Sequence, residues 1–92
     1  MSFQVYILRS RSHPRTYVGQ TEDLGSRLEK HNTGRVKSTK PYRPWELIHR
    51  EEFSTRSQAM ERERWFKRST GRKWIARFLD ERKGDGLSVS SR

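Results

Sequence analysis

A short run near the start of the chain, Phe3-Gln4-Val5-Tyr6-Ile7-Leu8, limits what this sequence can become more than any other segment. It is β-branched and aromatic, gives way to a polar stretch containing Pro14, and reads as a strand. Alternation sends Phe3, Val5 and Ile7 to one side and Tyr6 and Leu8 to the other, so both sides are apolar. Such a strand belongs in the middle of a sheet with cover on both faces. Only 29% of the 92 residues are hydrophobic and 35% are charged, which leaves apolar material for one small core and a single domain.

The rest of the chain supplies that cover. After a polar loop over residues 9–15, Thr16-Tyr17-Val18-Gly19 reads as a second strand, close enough to pair with the first as a hairpin and make Tyr6 and Tyr17 neighbours. Thr21-Glu22-Asp23 offers a cap and two acids for a helix start, and Gly34 after Asn32 is a stop, so residues 23–32 are expected to be helical. On that helix Leu24, Leu28, Arg27 and His31 share one arc, with Arg27 and His31 bordering the buried face. Residues 34–44 form a basic loop whose prolines are expected to bar any regular element. The segment 45–53 alternates imperfectly and is read as a third strand. Thr55-Arg56-Ser57-Gln58 matches a capping box for a helix reaching about Arg68. Gly71 reads as a break, and Trp74, Ile75, Phe78 and Leu79 form the apolar stripe of a last helix. The expected domain covers residues 1–83, and 84–92 reads as a flexible tail.

With 21 Lys+Arg against 11 Asp+Glu the chain is formally +10, which points to a polyanionic partner and first to nucleic acid. Nine of the basic residues precede Trp45 and twelve follow from it onward, so the fold itself is basic. No stretch approaches the roughly 18 apolar residues of a spanning helix, so no membrane partner is expected. Met1 is not followed by a basic and then an apolar leader region, and the expected address is the cytoplasm. The absence of cysteine excludes disulfide frameworks, thiolate zinc sites and thiol nucleophiles.

On the second helix, with Ala59 at zero, Phe66 falls at about 340°, Glu63 at about 40° and Glu61 at about 200°. Glu63 is therefore expected in the middle of the apolar face and Glu61 in water. An inward carboxylate needs a partner, which can be a metal ion, an arginine such as Arg27, or Lys67 one turn on. Two strand tyrosines, Arg27, His31 and Glu63 together contain the parts of a phosphodiester-cleaving site, although strand tyrosines are more often amphipathic core residues. Arg27 and a cation on Glu63 would stabilise phosphoryl charge, and Tyr6 would act as base if neighbouring positive charge lowered its pKa. Lys37, Lys40 and Arg43, with Tyr42 among them, either grip a nucleic-acid backbone or stack on a base, or form an ordinary solvated loop. Arg62, Arg64, Arg68, Arg72 and Lys73 read as a solvated helix face.

Gln4-Val5-Tyr6 followed by Tyr17-Val18-Gly19, then Asp23-Leu24-x-x-Arg27-Leu28-x-x-His31-Asn32 and Ala59-Met60-Glu61-Arg62-Glu63-Arg64-Trp65-Phe66-Lys67, resembles the GIY-YIG nuclease superfamily, and most closely its small stand-alone bacterial members. The resemblance runs from about Phe3 to Leu79. It implies Tyr6 as general base, Tyr17 as its partner at the water or scissile phosphate, and Arg27 as the phosphate clamp. It further implies His31 as an aid to proton transfer or a holder of Tyr6, and Glu63 as the single metal ligand. Gly19 falls at a strand end where a side chain would crowd the site. Gln4 stands where the name-giving glycine stands, and no residue is matched to the family's late asparagine.

The reading that results is an α+β domain: a three-stranded, largely antiparallel sheet flanked by helices in the order β-β-α-β-α-α. Its expected activity is endonucleolytic hydrolysis assisted by one Mg²⁺ or Mn²⁺, on DNA rather than RNA, with a preference for structure over sequence and a place in DNA repair. Lys67 joins Lys37, Lys40 and Arg43 as a nucleic-acid contact. The alternatives are a non-catalytic nucleic-acid-binding domain, or a subunit that needs a protein partner for activity or specificity.

Overall fold

The computed structural model of the chain describes residues 2–87, with side chains described through residue 82. The elements are β1 (Phe3–Ser10), β2 (Thr16–Thr21), α1 (Leu24–Asn32), β3 (Trp45–Phe53), α2 (Arg56–Lys67) and α3 (Ser69–Leu87). The sheet order is β2-β1-β3, which places the doubly apolar strand at the centre. Both pairings are antiparallel, so the α+β architecture is the expected one and its sheet is antiparallel throughout.

Each face of β1 closes its own cluster. Val5 and Ile7 pack with Val18, Ile48, Ala59, Phe66 and Ile75 beneath α2 and α3, while Tyr6 and Leu8 pack with Leu24 and Trp45 beneath α1. The imperfect alternation of β3 is a bulge: Leu8 pairs with Leu47 and Ile7 with His49, leaving Ile48 as the extra residue. Trp45 and Leu47 therefore join the α1 side. Ile48 and His49 both turn to the other side, where the His49 ring lies 5.0 Å from Trp74 and 5.5 Å from Phe78.

Local signals set the helix ends. Asp23 caps α1, its Oδ1 accepting from the Ser26 N–H at 3.1 Å. At the other end the chain turns through Gly34 at φ +82°, and the Arg35 N–H donates to the Lys30 carbonyl at 3.0 Å in a Schellman turn. Asn32 then ties α1 to β3, its Oδ1 accepting from the Trp45 N–H at 2.6 Å and its Nδ2 donating to the Trp45 carbonyl at 3.1 Å. Thr55 caps α2 through its Oγ1, which accepts from the Gln58 N–H at 3.1 Å.

Several expectations change. The segment 34–44 contains a 3-10 turn at Lys40–Tyr42, because Pro41 sits in its first turn, where no N–H is needed. The helix break falls at Arg68, whose backbone is extended, and Gly71 lies inside α3. Gly71 is buried where α3 crosses the end of α2, and a Cβ there would run into the Trp65 carbonyl and the Phe66 backbone. The backbone of α3 continues to Leu87, past Gly84, and residues 88–92 of the expected tail lie outside the described residues. On α2 the buried arc centres on Ala59 and Phe66, with Met60 exposed and Arg62 and Glu63 half-buried on its two flanks. Arg62 is thus not a solvent residue. It donates to both Glu51 carboxylate oxygens, at 2.8 and 3.1 Å, and its guanidinium lies 4.3 Å from the centre of the Trp65 ring.

These contacts predict opposite outcomes for two helical glycines. Gly71→Ala destabilises by about 1–3 kcal/mol, because the obstruction is backbone that cannot step aside. Gly25→Ala, whose Cβ would meet only Asp23 Oδ1 at 3.9 Å, stabilises by about 0.4–1 kcal/mol. Urea unfolding of the two variants checks both, and a neutral Gly71→Ala contradicts the helix crossing.

Candidate active site

The phenol of Tyr6 is buried by the packing of α1 on β1, so its hydroxyl must find a partner inside the protein. That partner is His31, also fully buried, whose Nε2 lies 3.0 Å from the Tyr6 oxygen. On the far side of the ring, Nδ1 lies 2.8 Å from Thr39 Oγ1. The Thr39 hydroxyl donates to the Val36 carbonyl at 3.3 Å, leaving its oxygen to accept from the His31 Nδ1–H. The network thereby assigns a neutral imidazole with Nε2 free to accept the Tyr6 O–H. Burial first, and the Arg27 charge second, lower the His31 pKa from its ordinary 6.5 and favour that neutral form. Thr39 is in turn held by the Trp45 indole N–H, which donates to its carbonyl at 2.9 Å.

Tyr17 reaches the same place from β2. Its ring centre is 4.9 Å from that of His31 and 6.2 Å from that of Tyr6. Gly19, paired with Tyr6 across the strands, makes this approach possible: a Cβ there would lie 2.6 Å from the Tyr6 hydroxyl oxygen and 3.0 Å from the Tyr17 ring. Arg27 comes from α1, and the Tyr6 hydroxyl beside its guanidinium raises the arginine pKa further. Its Nε is buried without a hydrogen-bond partner in the protein. Gln4, on the same face of β1 as Tyr6, likewise has a buried Oε1 without a partner.

The condition set for Tyr6 to act as a base by itself, a lowered pKa, is not met. Burial, with smaller contributions from Tyr17 and Glu63, pushes the phenol up to about 12 against the opposing pull of Arg27. Tyr6 is therefore a protonated donor to His31 near neutrality.

Glu63 lies on the flank of the buried arc of α2 rather than at its middle, close enough for its charge to act on Tyr6. Its partner is Lys67, which donates to Oε2 at 2.8 Å, and the Lys67 ammonium also sits 6.0 Å from the centre of the Tyr17 ring. The carboxylate is 22% exposed and the ammonium 52%. An i,i+4 pair this open contributes only about 0.3–0.5 kcal/mol, so Glu63 is readily released to another cation. Among the described residues no group of three or more metal-ligating side chains gathers. The donor set fits a small hard cation that takes one carboxylate and completes its shell with water and substrate phosphate.

Tyr6, Tyr17, Arg27, His31 and Glu63 thus converge, with Lys67 beside Glu63 and Gly19 beneath the phenols. Lys37, Lys40 and Arg43 are exposed on the segment after α1 and do not join them; Arg43 Nε is engaged by the Lys40 carbonyl at 2.9 Å. His31 is buried rather than bordering the core, because the 34–44 segment closes over it through Thr39. Thr39 went unread as a site residue, since a threonine among lysines and prolines has no distinguishing pattern in one dimension.

Comparison with known proteins gives a consistent picture. A family model described as the GIY-YIG catalytic domain matches residues 2–75. The chain is similar to the UPF0213 protein YazA of Bacillus subtilis, with 48% identity over 74 residues, 79% of this chain and 74% of that one. It is also similar to a UPF0213 protein of Staphylococcus aureus, with 39% identity over 79 residues, 85% and 94% of the two chains. Among solved structures, that of the UPF0213 protein BH0048 from Bacillus halodurans superposes with a TM-score of 0.52 at 27% identity, over 85% of each chain.

Two measurements test the buried network. The imidazole signals of His31 should titrate below 6.5. Because the unfolded chain takes up that proton first, stability falls as pH drops through about 6.5 and levels off only beneath the native pKa. A native pKa at or above 6.5 contradicts the neutral assignment. Thr39→Val, which keeps the shape but leaves Nδ1–H without an acceptor, should cost about 1–3 kcal/mol. A loss smaller than about 0.5 kcal/mol removes Thr39 from the network.

Proposed function

This chain belongs to the GIY-YIG family, and from that premise we propose that it is an endonuclease that hydrolyses phosphodiester bonds in nucleic acid with one divalent cation. The observation that carries the reading is the buried, unpartnered Nε of Arg27 beside a phenol hydrogen-bonded to a neutral imidazole. A phosphate oxygen is a stronger acceptor for this guanidinium than the neutral Tyr6 hydroxyl that it now faces.

In this reading Arg27 binds a non-bridging phosphate oxygen and draws off charge that develops as the attacking water approaches phosphorus. Tyr6 orients that water and takes its proton as the Tyr6 hydroxyl proton passes to His31 Nε2, so a phenol with a pKa of about 12 never has to persist as a free phenolate. The water oxygen bonds to phosphorus, and the bond to the leaving oxygen breaks with its electron pair on that oxygen, which takes a proton from solvent. His31 returns its proton to solvent through Tyr6. Thr39 holds the imidazole so that Nε2 faces Tyr6, and Tyr17 packs beside both rings. Glu63, released from Lys67, would hold Mg²⁺ or Mn²⁺, which when bound supplies electrostatic stabilisation of the phosphoryl group and leaving oxygen. The freed Lys67 ammonium becomes available to an adjacent phosphate.

DNA is the proposed substrate. Lysines and arginines on phosphate carry no sequence information, so branched, flapped or single-stranded form is the expected determinant. No helix among the described residues is long and apolar enough to cross a membrane.

Labelled linear, branched and single-stranded substrates with Mg²⁺, Mn²⁺ or EDTA test the activity. Glu63→Ala should abolish cleavage and leave nucleic-acid binding largely intact, whereas Glu61→Ala, exposed on the same helix, should change neither. Tyr6→Phe should lower kcat by about 10²–10⁴. Because a neutral His31 must receive the proton, the acid limb of the rate profile should lie below pH 6.5. Equal cleavage by the Glu63 and Glu61 variants rejects the assignment, and binding without cleavage by the wild-type chain leaves a non-catalytic binding protein.

A further inference from the structure

The hairpin between β1 and β2 is a strongly basic feature that the active site does not use. Arg9, Arg11 and Arg15 lie within seven consecutive positions, all exposed, with His13 among them. Arg11 meets Glu46 at 3.6 Å through side chains that are 61% and 35% exposed, a pair of little energetic weight. Arg9 and Arg15 have no acidic partner within 4.0 Å among the described residues. Three adjoining clefts surround this loop, bounded by its own side chains, by Tyr42 and by Leu79, Arg77 and Arg82 of α3.

The loop is pinned rather than loose. Ser10 is buried, and its Oγ accepts from the backbone N–H of Ser12 at 3.1 Å and of His13 at 3.0 Å while donating to the Tyr42 carbonyl at 2.6 Å. The Arg11 N–H donates to the Pro44 carbonyl at 2.9 Å. The hairpin and the Lys40–Tyr42 turn are thereby one preorganised basic surface. On it the Arg15 guanidinium lies 4.3 Å from the centre of the Tyr42 ring, and His13 meets the same ring edge-on at 5.1 Å. Tyr42 contacts Trp45 at 6.5 Å between ring centres, and Trp45 contacts Tyr17 at 6.4 Å, so an aromatic line joins this surface to the active site.

Resting on the nuclease reading above, we propose that the Arg9–Arg11–Arg15 hairpin is a second nucleic-acid-binding site, which grips the single-stranded segment leading away from the scissile bond. Its arginines take the phosphates, and the Arg15–Tyr42 pair takes the face of one unpaired base. Arginine and aromatic rings in alternation suit single strands, because every base has a face to stack while a paired base keeps it inside the duplex. The hairpin presents no large apolar side chain for insertion into a lipid surface, so a polynucleotide is the better match.

The test is binding of a fluorescent single-stranded oligonucleotide by anisotropy, without divalent ions, so that cleavage plays no part. The triple variant R9Q/R11Q/R15Q is compared with R64Q/R72Q/K73Q, which removes the same charge from exposed positions on α2 and α3, and melting curves verify that both fold. At about 100 mM salt the hairpin variant should bind about tenfold more weakly or worse, with a salt slope smaller by about 2, while the helix variant stays within about twofold of wild type. Equal losses in the two variants reduce the effect to net charge and overturn the proposal, as does wild-type affinity in the hairpin variant. Tighter binding to anionic phospholipid vesicles than to the oligonucleotide, lost in the hairpin variant, also overturns it. If the wild-type chain binds no single-stranded oligonucleotide, this inference falls and the cleavage panel above decides the nuclease reading by itself; if it binds and the hairpin variant matches it, only this inference falls.

Discussion

One strand that must be buried on both faces governs this molecule. With few apolar residues available, the chain builds both of its core clusters on one strand, β1, which sends Val5 and Ile7 to one and Tyr6 and Leu8 to the other. The consequence is chemical as well as structural. Tyr6 brings a polar oxygen into a dry layer, where leaving it unpaired would cost about 1–3 kcal/mol. His31 from α1, Thr39 from the following segment and Trp45 from β3 successively satisfy one another behind it. The contacts that complete the core are thus the same contacts that aim the phenol, and stability and site geometry are coupled at this point.

Burial also decides the electrostatics. A guanidinium beside a phenol favours the phenolate, yet loss of solvent outweighs Arg27 and holds Tyr6 protonated. The same loss of solvent, assisted by the Arg27 charge, keeps His31 neutral and able to accept. Two opposite displacements from ordinary values therefore produce a matched donor and acceptor, which is the arrangement a proton relay needs. Glu63 and Lys67 are placed differently, at an open rim, where solvent keeps their pairing weak.

The opposite face of the sheet handles charge in another way. Burial alone would raise the Glu51 carboxyl, but hydrogen bonds from Arg62 and His49 prevail and hold it below the usual range. Arg62 stacks on Trp65 while reaching Glu51, and His49 sits among Phe66, Trp74 and Phe78. This cluster links β3, α2 and α3, and so supports the helix that carries Glu63.

Much of this was legible in one dimension. The doubly apolar run, the Thr55 and Asp23 caps and the stop at Gly34 are short-range signals that act through the local backbone, and the elements follow them closely. The order of tyrosine, arginine and glutamate blocks named the residues that meet at the site. The tertiary structure decided the rest, because burial and close approach depend on which surfaces touch. Gly71 looks like a helix breaker until α2 and α3 cross at it, Arg62 looks solvated until Glu51 arrives from a neighbouring strand, and Thr39 is unremarkable until a buried imidazole needs an acceptor. The protonation of Tyr6 belongs to the same class: charge neighbours can be guessed from spacing, but the loss of water that overrides them exists only once α1 has closed over the sheet.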